Sequence, residues 1–169
     1  MKIAKFILLA LLGLVGIFLI VSVFMPHHQV LVEVSRETTA SKEKIWKQFS
    51  DVPNRKNWDK SIEYAKINGP FQMGATGEIK LHGQSPSQYE IIVYKNLEAY
   101  TDRFFLPMFA NMDFVHTIQP TEKGNKITFR VELSGPFIFV YASMIKETLE
   151  QELPGAVDNL VSLAEKDTH

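Results

Sequence analysis

Five histidines are the first residues to weigh for chemistry in this 169-residue chain. His27 and His28 stand side by side ahead of the first strand-like stretch, His82 precedes Gly83, and His169 ends the chain. His116 is different. In "MDFVHTI" strand alternation places it on one face with Phe114 and Ile118. On a concave face that imidazole would be mostly neutral in an apolar space, able to donate or accept one hydrogen bond. A core histidine satisfied by a backbone group fits the same pattern. Asp113 falls on the opposite face, so the two make a poor acid–base pair. Tyr64, Tyr89, Tyr94 and Tyr141 are candidates to bring hydroxyls into the same space, or to pack with the hydroxyl at its rim.

Other chemistries find little support. No two carboxylates have a dyad spacing, and neither a nucleophile–base signature nor a Gly-rich phosphate loop is present. The chain has no cysteine, which excludes disulfides, thiol catalysis and cysteine-ligated zinc. Two adjacent histidines are too little for a metal site. The expectation is no catalytic residue, no metal and no cofactor.

Positioning His116 takes elements, and local patterning supplies them. Residues 29–37 alternate through Val30, Val32 and Val34 and read as a strand. Ser41 is a good N-cap, Glu43 suits a first turn, and Ile45, Trp46 and Phe49 share one apolar face, which predicts a short helix. "VPNRKNWDKSI" predicts a turn and a second short helix, with Pro53 near its start and Trp58 as anchor. Strands are then expected over 62–67, 76–82, 88–95, 99–106, 110–119 and 126–134. The breaks between them, such as "NGPFQMG" and "PTEKGNK", carry turn chemistry and are short enough for antiparallel hairpins.

The last strand alternates Ile127, Phe129, Val131 and Leu133 against Lys126, Thr128, Arg130 and Glu132, so one face must be covered. Residues 135–160 are the cover. Their apolar run over 137–145 is too short for a membrane span. Tyr141, Ile145, Leu149, Leu153, Val157, Leu160 and Ala164 recur at helical spacing. A long carboxy-terminal helix follows, with Pro154 expected to kink or break it near 151–153.

The amino terminus is of another kind. Residues 6–25 run twenty positions without a charge, enough helix at about 1.5 Å per residue to span roughly 30 Å of hydrocarbon. A signal peptide's apolar region is shorter, about 7–15 residues, and "SVFMPHH" lacks the small residues of a cleavage site. An uncleaved anchor is expected over 1–28, with a short tether and a single domain over 29–169. Lys2 and Lys5 precede the span and no Lys or Arg follows before Arg36. The positive-inside rule puts the amino terminus in the cytoplasm and the domain on the other side, the periplasm in a bacterium.

Without Lys2 and Lys5 the remainder holds 16 Lys and Arg against 19 Asp and Glu, a formal charge of −3. That argues against a nucleic-acid partner. Lys42, Lys44, Lys47, Arg55, Lys56 and Lys60 lie close in sequence, interleaved with Glu43, Asp51 and Asp59. They read as a solvated mixed-charge face, or as a lip for anionic headgroups.

The order strand, two short helices, six antiparallel strands, long helix resembles the helix-grip fold of the START-like SRPBCC superfamily, which includes polyketide cyclase/dehydrase-like and birch-pollen-allergen-like proteins. The resemblance is carried by "VEVSRETTASKEKIWKQFSDVPNRKNWDKSI", by "INGPFQMG" with Gly69 and Gly74, and by "GNKITFRVELSGP" and "ELPGAVDNLVSLAEK". It covers about residues 30–166. It implies an α+β fold, a curved antiparallel sheet of about seven strands wrapped around the long helix, with an apolar cavity between them. The transmembrane helix is an addition to that fold.

On this resemblance the cavity lining is expected to include Tyr64, Phe105, Phe114, His116, Phe129, Tyr141, Ile145 and Leu149. The expected partners are a lipid or other hydrophobic small molecule, and the membrane through the amino-terminal helix. Binding without catalysis leads. The alternatives are an enzyme of cyclase or dehydratase type using His116 and a tyrosine, and an envelope interaction module. The methionine- and phenylalanine-rich stretch 104–112 is expected to be core beneath a turn, a pocket entrance, or a surface dipping into a membrane.

Overall fold

The protein is described here by a computed structural model covering residues 2–166; His169 lies outside the described residues. An apolar helix comes first, α1 (Lys2–Phe24). The domain then runs β1 (His28–Thr38), α2 (Lys42–Ser50), a 3-10 turn (Val52–Asn57), β2 (Ile62–Asn68), β3 (Thr76–Leu81), β4 (Ser87–Lys95), β5 (Ala99–Leu106), β6 (Ala110–Thr121), β7 (Gly124–Ser134) and α3 (Ile138–Lys166).

The seven strands form one antiparallel sheet in the order β1-β7-β6-β5-β4-β3-β2. Consecutive strands are neighbours from β2 to β7, as short hairpin turns require. Strands β1 and β2 lie on opposite edges, so α2 and the 3-10 turn must carry the chain across the open side of the sheet. Three register shifts, at Val30/Val32 in β1, Ile62/Tyr64 in β2 and Ile91/Val93 in β4, mark bulges. Bulges bend a strand and increase its twist, and here they curl the sheet around its apolar face.

Helix α2 forms where its caps and apolar face predict. Ser41 caps it by accepting from the Lys44 amide, and Ile45, Trp46 and Phe49 are buried. Behind it, Trp58 donates its indole N–H to the Gln48 carbonyl at 3.2 Å and stands edge-on to Phe129. Helix α3 lies across the concave face and continues through Pro154 without interruption, rather than breaking near 151–153. Leu153, Ala156, Val157, Leu160 and Ala164 are its buried side chains after Ile138. Arg36 on β1 donates to Asp158 at 2.6 Å, Thr38 donates to Glu165 at 2.8 Å, and Asn159 donates to the Trp58 carbonyl at 3.1 Å. These contacts tie its second half to the first strand and the 3-10 turn.

Among the described helices α1 alone is long and apolar enough to cross a membrane. Length and composition of that kind fit a membrane span or a signal sequence. Its apolar stretch Ile3–Val21 is not buried in the domain, although Phe18 stacks on Phe137 with ring centroids 4.9 Å apart.

Candidate functional site

The sheet face toward α3 is set by alternation on β4, β5 and β6. Tyr100, Asp102 and Phe104 on β5 stand opposite His116, Phe114 and Met112 on β6, all pointing inward. Tyr89 and Ile91 continue the layer on β4. Towards β1 the layer is solid: Trp46, Phe49, Tyr100 and Phe129 pack ring against ring. Towards β2 and β3 it leaves a space.

That space is a cavity of about 160 Å³. Phe104, Met112, Phe114 and Phe129 form its sheet wall, Leu149, Leu153 and Ala156 its helix wall, and Trp58, Ile62, Ile79 and Leu81 its side. It opens past Asp59 and Ser61, the β3–β4 loop at Gln84, and Glu152 on α3. An outer vestibule bounded by these same residues together with Lys60, His82 and Asn159 continues it to the surface.

The cavity also has a polar floor. Arg55, Asp102 and His116 all reach it, and each is nearly inaccessible to solvent. Arg55 donates from Nη1 to Asp102 Oδ2 at 2.7 Å and from Nε and Nη2 to the Phe49 carbonyl at 3.3 Å each. Its guanidinium lies over the Tyr100 ring at 5.2 Å and near those of Phe71 and Tyr89. A buried cation needs such compensation, since desolvation otherwise costs several kcal/mol, as an order of magnitude. Burial pulls the Arg55 pKa down, but Asp102 together with the tyrosines outweighs it and keeps the side chain charged.

Burial pushes the Asp102 carboxyl up from its ordinary range, against the pull of Arg55. Burial likewise raises the phenol of Tyr89 to about 12 and that of Tyr100 well above its ordinary value. His116 stacks flat on Tyr100 at 4.1 Å and edge-on to Phe129 at 4.4 Å. Burial, reinforced by the Arg55 charge, drives its pKa well below the ordinary imidazole value. The ring is neutral. Three atoms here are buried without a hydrogen-bond partner: Asp102 Oδ1, His116 Nδ1 and the Tyr100 hydroxyl. The floor therefore holds a fixed cation and, just beneath its surface, a carboxylate oxygen and a neutral imidazole nitrogen without partners.

Of the eight residues expected to line the cavity, Phe114, His116, Phe129 and Leu149 are at its wall. Four others are placed elsewhere. Tyr64 is on the outer face, donating to Glu78 at 2.8 Å, because the bulge at Ile62/Tyr64 shifts the alternation and turns Ala65 inward. Phe105 points outward and is 62% exposed, while Phe104 takes the inner position. Tyr141 packs near the start of α3 and donates to the Pro107 carbonyl at 3.0 Å. Ile145 packs, half-buried, against the core rather than at the cavity wall.

Asp113 pairs across the outer face with Arg103 at 2.6 and 2.8 Å, on the side of the sheet away from His116. Arg55, grouped in the sequence with surface cations, is instead 3% exposed. Its sequence signal was only its place between Pro53 and Trp58, in a segment that must pack inward. Among the described residues no cluster of three or more His, Asp or Glu could hold a metal ion.

Known proteins with this arrangement are numerous in structure and sparse in sequence. No curated protein resembles the chain closely enough in sequence to count as a relative. Norcoclaurine synthase from Thalictrum flavum, solved in complex with dopamine and hydroxybenzaldehyde, superposes with a TM-score of 0.63 at 17% identity, covering 84% of this chain and 89% of that one. The di-domain ARO/CYC of the steffimycin biosynthetic pathway gives 0.66 at 7% identity, covering 82% of this chain and 51% of that one. A protein of Nitrosomonas europaea gives 0.64 at 15% identity, covering 80% and 94%. At such identities these likenesses speak for the fold, the SRPBCC helix-grip arrangement. The sequence itself matches the profile of one family across residues 29–165, from the start of β1 to the end of α3. The chain belongs to the family described as polyketide cyclase / dehydrase and lipid transport.

Proposed function

We propose that this protein is a membrane-tethered binder of a small, lipid-like or otherwise hydrophobic molecule that carries one hydrogen-bonding group. The observation behind this reading is the cavity beneath α3, apolar on its walls and floored by Asp102 and His116, whose Oδ1 and Nδ1 are buried without a protein partner. An apolar space of about 150 Å³ takes a ring the size of benzene, and drug-sized pockets begin near roughly 300 Å³. The occupant is then a ring or short chain held inside, with any remainder leaving through the mouth. Its O–H or N–H donates to Asp102. Leaving such an atom unpaired costs about 1–3 kcal/mol, which favours a ligand with a donor over a pure hydrocarbon.

Phe114, His116, Phe129 and Leu149 act as binding wall in this reading, joined by Phe104, Met112 and Leu153. Residues 1–28 serve as anchor and tether and 29–169 as the binding domain. Lys2 and Lys5 hold the amino terminus in the cytoplasm, and the domain works on the opposite side of the membrane. The family's description as lipid transport, and the small aromatic molecules bound in norcoclaurine synthase, agree with an occupant of this class.

Native mass spectrometry of the full chain in detergent, after exposure to a cellular lipid extract, tests the reading. A retained small molecule is expected, and Met112→Trp, which fills the cavity, should abolish it. An interior that stays empty in the unsubstituted protein would overturn the proposal.

One observation favours a second reading. Arg55, Asp102 and His116 converge inside the cavity, as a cyclase or dehydratase would need for moving a proton. The likeness to an ARO/CYC protein and to norcoclaurine synthase points the same way. A retained molecule whose mass changes on incubation would favour catalysis; one recovered unchanged would favour binding.

A further inference from the structure

One end of the domain carries an apolar surface that the cavity does not use. The β5–β6 loop, Pro107 to Phe109, exposes Met108 at 39% and Phe109 at 85%, with Phe105 beside them at 62%. Both Met108 and Phe109 adopt positive φ, 57° and 60°, where a water-facing hairpin would carry Asn or Gly. On the first turns of α3, Met144 is 73% exposed. No charged residue occurs over 104–112 or over 133–145. Exposed apolar surface concentrated in this way marks an interaction site.

What covers it follows from where α1 leaves the domain. The Gly135 amide donates to the His27 carbonyl at 2.9 Å, so the end of α1 and the start of α3 meet. Gly135, at φ +127°, packs so tightly on Phe109 and Ala110 that a Cβ would run into the Phe109 carbonyl. Tyr141 closes the triangle by donating to Pro107. The exit of α1, the β5–β6 loop and the start of α3 are thus one end of the molecule.

Phe18 supplies the depth. It stacks on Phe137 at 4.9 Å and meets Phe139 at 5.6 Å. Phe24, the end of α1, lies six residues on from Phe18, a rise of about 9 Å. Amphipathic elements at membrane surfaces bury their apolar face by a similar 5–10 Å, roughly speaking. If α1 spans the bilayer, the rings touching Phe18 lie within it.

Resting on the anchoring proposed above, we infer that this end of the domain is itself a membrane-insertion surface. The β5–β6 loop and the first turns of α3 enter the leaflet beside α1, and the occupant of the apolar patch is lipid. The β3–β4 loop at the cavity mouth belongs to the same end of the sheet, because β4 begins opposite the end of β5, with Tyr89 beside Phe104. Insertion therefore holds the mouth toward the headgroups.

The absence of cysteine makes the test direct. Phe109→Cys, Met144→Cys and Lys123→Cys, the last in the β6–β7 turn at the other end, are labelled with an environment-sensitive fluorophore in the full chain. Each is reconstituted into phosphatidylcholine vesicles whose acyl chains carry bromine near the headgroup. The probes at 109 and 144 should lose most of their emission and the probe at 123 none. Vesicle-bound protein with all three probes equally unquenched would overturn the insertion and leave the anchor standing. Blue-shifted but unquenched probes at 109 and 144 would assign the patch to a protein partner or a second copy, against this inference. Protein that fails to float with the vesicles would overturn the anchor and the insertion together.

Discussion

His116 stands where a titration has a definite sign. Its pKa in the fold lies well below the ordinary value of 6.5 because burial and the nearby Arg55 charge both disfavour the imidazolium. Above that ordinary value the ring is neutral in both folded and unfolded chains, and pH has no purchase through it. Below it the unfolded chain takes up a proton that the folded one refuses. Stability is therefore lost as pH falls from about 6.5 toward the depressed value, by about 1.4 kcal/mol per pH unit. His116→Phe, which keeps an aromatic ring against Tyr100, should remove this slope. Denaturant unfolding at pH 7.0 and at lower pH, compared between the two proteins, measures it; parallel profiles would mean that His116 accepts its proton in place. Arg55 and Asp102 show why the cavity floor has only a few partnerless atoms. One Asp102 oxygen satisfies the guanidinium, the Phe49 carbonyl takes its other donors, and the second oxygen is buried without a partner.

Helix α3 divides along its length into two kinds of surface. Val157, Leu160 and Ala164 are fully buried in the core. Leu149, Leu153 and Ala156 border the cavity, and Leu149 among them is only half-buried. Truncation should separate these roles. Leu160→Ala leaves a hole in a packed layer and should cost about 2–5 kcal/mol. Leu149→Ala removes a wall that already borders empty space and should cost clearly less, while altering which molecules the cavity retains. Unfolding in denaturant and native mass spectrometry read the two effects. Equal destabilisation by both would mean that the cavity closes in solution and Leu149 is ordinary core.

For the whole molecule, the proposed orientation makes an observable difference between the two ends of the chain. Lys5 precedes the apolar span, and Lys123 lies in a turn at the far end of the domain. A membrane-impermeant maleimide applied to intact cells should label Lys123→Cys and leave Lys5→Cys untouched. Labelling at position 5 alone would reverse the topology, and labelling at neither would place the domain inside the cell. The insertion surface and the orientation are separable, because a domain can press on either leaflet. Together they would make the protein a cavity held by its own anchor with the mouth against the headgroups.

The sequence by itself determined the order of the elements and the apolar amino-terminal helix. Those depend on local periodicity: the alternation of Ile127, Phe129, Val131 and Leu133, the spacing along α3, and Ser41 as a cap are all readable within a few residues. It also brought out Phe114, His116 and Phe129 as one inward layer, since β6 and β7 alternate without a bulge. Only the tertiary structure decided the rest of the cavity. Phe104 rather than Phe105 turns inward because β5 takes the register that buries Asp102, and Asp102 is buried because Arg55, 47 residues earlier, comes to meet it. A charged residue reads as a surface residue until its partner is known. The bulge in β2 likewise moved Tyr64 to the outer face, and a bulge leaves no periodic trace in so short a strand. Local patterning sees neighbours along the chain, whereas the cavity floor is made of neighbours in space.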